Sequence, residues 1–274
     1  MCGYNAHPPF IWTDMLIDYE TISEPLEIRE NETVEDLQLG GLRLIQKKNG
    51  FRLGMDSVLL ADFASVRRED RVGDFGTGTG ALPLLLWGRG KGARYEAIEI
   101  QEHLAETAAR TMILNGLEER VRVFARDAGD AGLFLEQNSL DAIVCNPPYG
   151  EPGSVLLNPM NERSVSRHQK EDTLQRYLKA AYRTLKGRGK IALVYPAPRM
   201  LGLMRLMQDA HLEPKRFRLV YPRANQPANL VLVEGVKDAK PMLHPMPPLV
   251  VFEENGDLTN ELKSVYHIKE NSPE

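Results

Sequence analysis

The stretch Asp74-Phe75-Gly76-Thr77-Gly78-Thr79-Gly80 decides the fold of this chain. Before it, Arg71–Phe75 reads as a short strand; after it, Ala81–Trp87 reads as a helix. Glycines at this junction let the backbone turn sharply and approach a ligand closely, because no Cβ stands in the way. The pattern Gly76-x-Gly78-x-x-Ala81 also satisfies the dinucleotide fingerprint, with its permitted final alanine. Asp74 weighs against that ligand: an anion two residues before the first glycine repels a pyrophosphate and suits a cation. Asp74, Gly76, Thr77, Gly78 and Gly80 are therefore candidate ligand-binding residues.

Outward from this turn, strand and helix alternate. Strand patterns at Arg94–Ile100, Val121–Phe124, Leu140–Cys145 and Lys190–Tyr195 interleave with helical patterns at Gln101–Asn115, Glu171–Leu185 and Arg199–Ala210. Such alternation predicts an α/β fold, a doubly wound and mostly parallel sheet with helices on both faces. The alternation then breaks: Arg216–Tyr221 and Asn229–Glu234 read as two strands with only a turn between them, a terminal β-hairpin. Pro241, Pro245, Pro247 and Pro248 interrupt the tail before a last strand-like Leu249–Phe252.

Ahead of the glycine turn, Leu42–Ile45 and Phe51–Leu53 flank Lys47-Lys48-Asn49-Gly50, and Asn-Gly between apolar runs signals a hairpin. Asp56 or Ser57 then suits the N-cap of a helix through Phe63. The expected division is an acidic arm over residues 1–36, a hairpin and helix over 37–65, the main domain over 66–236 and a proline-interrupted tail over 237–274. Met15 is a candidate natural start.

At 274 residues, 42% hydrophobic and 26% charged, the chain can bury one substantial core, and disorder of the whole chain is excluded. No apolar run approaches the roughly 20 residues that span a bilayer. Cys2 and Cys145 stand far apart with no zinc spacing around either, so no metal is expected and a cytoplasmic compartment is the default. The net charge of −4 hides an asymmetry: residues 1–36 carry nine acids and one arginine, which leaves the remainder at +4. Ala181 to Arg223 holds ten Lys/Arg against Asp209 and Glu213. This is either a solvated surface or a local face that meets phosphate.

Glu99 closes the strand after the glycine turn, where a carboxylate can accept both hydroxyls of a ligand ribose; locally it also fits a helix-start acid. The strand Leu140–Cys145 runs into Asn146-Pro147-Pro148-Tyr149. The Asn146 side-chain carbonyl and the Pro147 backbone carbonyl offer two acceptors to the two hydrogens of a planar NH2 group. Holding both pulls the nitrogen toward tetrahedral and exposes its lone pair. The prolines stiffen the backbone before the substrate arrives, and Tyr149 supplies a flat face for stacking. Gly150 to Asp172 reads as a loop, a substrate-facing lid whose Arg163, Arg167, His168 and Lys170 meet phosphate.

Asp74–Gly80, Glu99-Ile100, Asp127 and Asn146–Tyr149 together resemble class I S-adenosylmethionine-dependent methyltransferases of the adenine-N6 and glutamine-N5 type. Those enzymes have a Rossmann-like, seven-stranded, mostly parallel sheet that ends in a β-hairpin. The resemblance implies S-adenosylmethionine as cofactor, with Asp74 suited to its ammonium and sulfonium, Glu99 and Ile100 at the ribose end, and Asp127 and Ala128 at the adenine. Asp130 competes with Asp127 for that place. The segment with Asp56 would pack over the methionine end, and Asn146 would border the cofactor as well as the acceptor.

Glu35–Gln38, Leu44–Gln46 and Phe51–Leu60 resemble a narrower group, the bacterial tRNA1(Val) adenine-N6 methyltransferases. This implies tRNA as partner and an adenine beside the anticodon as target; no membrane and no metal are expected, and a monomer is favoured. Release-factor glutamine methyltransferases and rRNA or DNA amino-methyltransferases remain the alternatives. The former normally carry a separate helical domain ahead of the cofactor domain, and the segment before Asp74 is short.

Overall fold

The computed structural model describes residues 16–22, 26–49, 53–147 and 165–268, with side chains from residue 172 onward in the last of these ranges. Its first paired strands are β1 (Glu32–Asp36) and β2 (Arg43–Lys47), antiparallel, with Val34 opposite Ile45. Among the described residues the partner of Arg43–Lys47 is thus the strand before it, and that hairpin straddles the boundary drawn at residue 36. Leu53 lies outside any strand, and Gly50, Phe51 and Arg52 lie outside the described residues. Asn-Gly is a local signal, whereas β2 is paired through the earlier turn at 37–42.

Helix α1 (Met55–Phe63) follows, capped by Gly54; Asp56 and Ser57 sit inside its first turn and not at the cap. The alternating part of the chain then runs β3 (Arg71–Phe75), α2 (Ala81–Gly88), β4 (Arg94–Glu99), α3 (Glu102–Leu114), β5 (Val121–Ala125), α4 (Ala131–Phe134) and β6 (Leu140–Cys145). It continues with α5 (Val165–Thr184), β7 (Leu185–Pro196), α6 (Met200–Asp209), β8 (Leu212–Tyr221) and β9 (Leu230–Lys237). Two short strands, β10 (His244–Pro245) and β11 (Leu249–Val250), and helix α7 (Asn260–Val265) complete the described tail.

The principal sheet runs β8-β9-β7-β6-β3-β4-β5, parallel from β7 to β5, with β9 antiparallel between β7 and β8. This is the expected seven-stranded sheet with its terminal hairpin. The tail adds β10 and β11, both parallel to β8 along its outer side, so the whole sheet has nine strands. The proline-rich segment therefore contributes strand, but only in two-residue pieces, one of which ends on Pro245, because proline cannot donate to a ladder.

Two apolar layers flank the sheet. Leu59, Leu84, Ala108 and Met112 pack one face through α1, α2 and α3. Leu174, Leu178, Leu203 and Met207 pack the other through α5 and α6. In α5, Leu174, Tyr177, Leu178 and Ala181 recur at the helical interval and are all buried, while Arg176 and Lys179 are exposed. That helix begins at Val165, so the loop expected up to Asp172 is shorter than its polar composition suggests. Arg167, His168 and Lys170 ride on its first turns.

Strand β5 is the far edge of the sheet, and residues 16–22 run along it. Leu16 bridges Phe124, the Ile17 amide donates to the Val123 carbonyl at 2.8 Å, and the Tyr19 hydroxyl donates to the Val121 carbonyl at 2.5 Å. Part of the acidic arm thus covers an edge that would otherwise expose unpaired backbone groups. No helix among the described residues is long and apolar enough to cross a membrane.

Candidate active site

Strand order reverses at β3, which has β4 on one side and β6 on the other. Ligands of open α/β sheets bind outside the carboxyl ends of the strands at such a point. The register sets Asp74 beside Val144 and Phe75 beside Ile98. The turn after β3 and the Asn146 segment after β6 are therefore neighbours, although some seventy residues separate them in sequence.

The glycine turn is held from β4. The amides of Gly76 and Thr77 both donate to the Ile98 carbonyl at 2.9 Å. Gly76, Gly78 and Gly80 have φ of +83°, +59° and +87°. A Cβ on Gly76 or Gly78 would meet nothing within 4 Å, so these positions border open space where a ligand can approach. Gly80 differs, because its Cβ would sit 2.6 Å from Met112 Cε; it serves the contact between turn and helix.

Asp74 is fully buried, and among the described residues neither of its carboxylate oxygens reaches a hydrogen-bond partner; Thr77 Oγ1 is likewise buried and has none there. Burial pushes the Asp74 carboxyl up to about 7 and the Glu99 charge adds to this, against the pull of the nearby Thr77 hydroxyl. Unpaired buried oxygens are costly. A cationic group of S-adenosylmethionine would relieve that cost, so this site fits the cofactor.

Glu99 is also buried. Its Oε2 accepts the Gly78 amide at 3.0 Å and its Oε1 accepts the Gln101 amide at 2.9 Å. It thus steadies the glycine turn and the start of α3, and an ionised carboxylate keeps acceptor capacity beyond two amides for a ribose diol. Ile100 is 59% exposed, an apolar surface at the same strand end. Asp127 Oδ1 accepts the Gly129 amide at 2.7 Å, next to the buried Ala128. Its Oδ2 and Asp130 Oδ1 are both held by Arg176, so the two competing acids share one cation from α5.

On the acceptor side, Asn146 is half-buried and Pro147 is buried. Asn146 Nδ2 donates to Ser57 Oγ at 3.1 Å. Asp56, next to that serine, is half-buried in the first turn of α1. Pro148, Tyr149 and Arg163 lie outside the described residues, and the side chains of Arg167 and His168 are not described.

Two residues were not legible as site members. Ser57 lies in a segment of interest, but nothing local says that its hydroxyl meets Asn146. Arg176 is one of several charged residues on a polar helix, and only the packing of α5 carries it to Asp127.

The basic stretch over 181–223 divides. Arg216 is paired with Glu234, Arg218 with Glu261 and Lys186 with Asp141, while Arg223 donates to the carbonyls of Glu253 and Glu254. Much of that charge therefore holds the fold together. Arg199 and Arg205 stay exposed, without an ion-pair partner among the described residues.

A cavity of about 500 Å³ lies elsewhere, between residues 17–29 and α3. Its Arg29 is paired with Glu106, and its Arg110 is paired with Glu32.

The sequence profile of the methyltransferase small domain family matches residues 51–213. The tRNA1(Val) (adenine(37)-N6)-methyltransferase of Parabacteroides distasonis is 30% identical over 187 residues, which cover 68% of this chain and 77% of that protein. A predicted O-methyltransferase from Agrobacterium tumefaciens shares the fold at a TM-score of 0.63 and 20% identity, over 78% of this chain and 96% of that one. The 16S rRNA N2 G1207 methyltransferase of T. Thermophilus, solved with AdoMet and guanosine, superposes at a TM-score of 0.54 and 20% identity. That match covers 75% of this chain and 50% of the other.

Proposed function

Since the chain belongs to the methyltransferase small domain family and is an S-adenosylmethionine-dependent methyltransferase, we propose that it methylates the exocyclic N6 of an adenine in tRNA. The proposed base lies beside the anticodon of a valine tRNA, as the printed names of the relatives suggest. The observation that carries the reading is the side-by-side placement of the glycine turn and Asn146 across β3 and β6.

S-adenosylmethionine supplies an electrophilic methyl group on a sulfonium. Asp74 faces the cationic end, Glu99 accepts the ribose hydroxyls, Ile100, Asp127 and Ala128 border the adenine, and Asp56 closes over the methionine end. Gly76, Thr77, Gly78 and Gly80 shape the backbone around the ligand. Asn146 Oδ1 and the Pro147 carbonyl accept one amino hydrogen each, so the target nitrogen presents its lone pair to the methyl carbon. When bound, the cofactor would supply the methyl carbon, its bond to sulfur breaking as the nitrogen–carbon bond forms, and the extra proton on nitrogen would leave to water. Alignment carries most of the acceleration, and no strong general base is required.

The target base is taken out of its stack and laid on Tyr149, while Arg163, Arg167 and His168 meet the backbone phosphates. The enzyme acts as a monomer in the cytoplasm, where its substrate is found.

The test is transfer of labelled methyl from S-adenosylmethionine to bulk tRNA from a strain lacking the gene, followed by nucleoside digestion and mass spectrometry. Labelled N6-methyladenosine is the expected product. Label in a release factor added in parallel, with none in tRNA, would move the target to a glutamine amide.

A further inference from the structure

We propose that Ser57 is a positioning residue for methyl transfer: by accepting a hydrogen from Asn146 Nδ2, it restrains the rotation of the Asn146 amide that meets the target amino group. The inference rests on Asn146 as the amino-group acceptor, not on the identity of the RNA.

A primary carboxamide has two nearly isosteric ends of opposite character, an oxygen that only accepts and a nitrogen that only donates. An amino group that is to be held by its hydrogens needs the oxygen. If the amide turned over, an N–H would face an N–H, and one of the two bonds that bare the nitrogen lone pair would be lost. Asn146 therefore needs a supporting device that holds its rotation. Ser57 Oγ, 3.1 Å from Nδ2 and 89 residues away in sequence, engages the nitrogen end.

The device works only if α1 is fixed relative to β6, and its far end is clamped. Lys91 Nζ donates to the carbonyls of Ala61, Asp62 and Ala64 at 2.8, 2.6 and 2.9 Å, filling the acceptors that a helix C-terminus leaves unmet. Arg216 donates to the Phe63 carbonyl and to Ser65 Oγ while it is paired with Glu234 on β9. Ser57 itself is only 7% exposed, with Val58, Leu59 and Leu60 buried behind it. A serine on a helix locked at one end by two cations is a rigid support for a reacting group.

The experiment compares Ser57→Ala and Ser57→Thr with the wild type on the same methyl acceptor, reading kcat, the KM for the acceptor, cofactor affinity and thermal stability. Ser57→Ala removes one oxygen and should lower kcat on the order of tenfold, the size of one lost hydrogen bond in the transition state. The acceptor KM, cofactor Kd and melting temperature should stay close to wild type. Ser57→Thr keeps a hydroxyl and should recover most of the loss.

An unchanged kcat in Ser57→Ala would overturn the proposal. So would a loss that tracks cofactor affinity or melting temperature, because Ser57 would then be packing and nothing more. If the wild type labels a glutamine amide and not tRNA, the same comparison is made on that acceptor. The substrate reading then fails while the role of Ser57 is still decided.

Discussion

Arg176 Nη1 lies 2.8 Å from Asp127 Oδ2, and its other terminal nitrogen lies 2.9 Å from Asp130 Oδ1. The loop that would hold the cofactor adenine is therefore tied to α5, the helix that follows the acceptor segment in sequence. Arg176 is half-exposed, and an ion pair of that kind contributes about 1 kcal/mol or less. Asp127 does more, since its other oxygen caps the Gly129 amide at 2.7 Å. Asp127→Ala is expected to weaken cofactor binding about tenfold by calorimetry, the value of one charged hydrogen bond. Arg176→Ala should leave the affinity nearly unchanged. A larger loss for Arg176 would make the arginine the ligand and Asp127 its support.

Asp74 predicts a pH dependence whose sign is fixed. Its ordinary value is 3.8, and burial followed by the Glu99 charge raises it in the folded protein to about 7. Between those values the folded, cofactor-free protein binds a proton that the unfolded chain has released. The contribution of Asp74 to stability therefore falls as pH rises through that window and is level above about 7. A bound cation favours the carboxylate, so cofactor affinity should rise with pH to about 7, then level off, with proton release on binding below it. Calorimetry at acid and neutral pH, in buffers of different ionisation heat, measures both. Asp74→Asn should abolish the proton release; affinity flat across the range would mean that the free protein already holds the carboxylate.

The glycines of the turn should separate by function. Gly80→Ala forces a methyl to within 2.6 Å of Met112 Cε at a φ of +87° and should cost about 1–3 kcal/mol of stability. Gly78→Ala carries a milder backbone strain and points its methyl into open space, so it should lose more cofactor affinity than stability. Urea melts and cofactor titrations on the two variants test this, and the reverse order would place Gly80 at the ligand.

Glu32 and Arg110 form a bidentate pair at 2.7 and 2.8 Å, with side chains 2% and 4% exposed. Burial by itself would raise the Glu32 carboxyl, but the hydrogen bonds from Arg110 and the Arg29 amide, together with the Arg110 and Arg29 charges, outweigh it and leave it lowered. Its contribution is thus present above the ordinary carboxylate value and lost as pH falls through the lowered one. Arg110→Met strands a buried charge and should cost about 3–5 kcal/mol, whereas Arg110→Met with Glu32→Met should recover most of it. Equal losses in the single and double variants would show that packing, not charge, is what Arg110 supplies.

Much of the fold was legible because its signals are local. The strand at Arg71–Phe75, the strand at Leu140–Cys145 and the glycine turn between strand and helix each need only a few adjacent residues to be read, and the structure places them where expected. The Asn-Gly signal at 49–50 is local too: it says that the chain can bend, not which strand will pair, and among the described residues Arg43–Lys47 pairs with Glu32–Asp36. Polar composition likewise hid the start of α5, whose buried face begins only at Leu174 among the described side chains.

By itself, then, the sequence determined the alternation that builds a parallel sheet, and the residue types at the turns after β3 and β6. Backbone freedom at glycine and stiffness at proline hold wherever the chain goes. Tertiary structure alone decided the partners. It set Asn146 against Ser57, Arg176 across Asp127 and Asp130, Arg216 onto Glu234, and Glu32–Asp36 beside Arg43–Lys47. A side chain's partner follows from strand order and register. Those are settled by burying two apolar layers at once, and no short stretch of sequence contains that constraint.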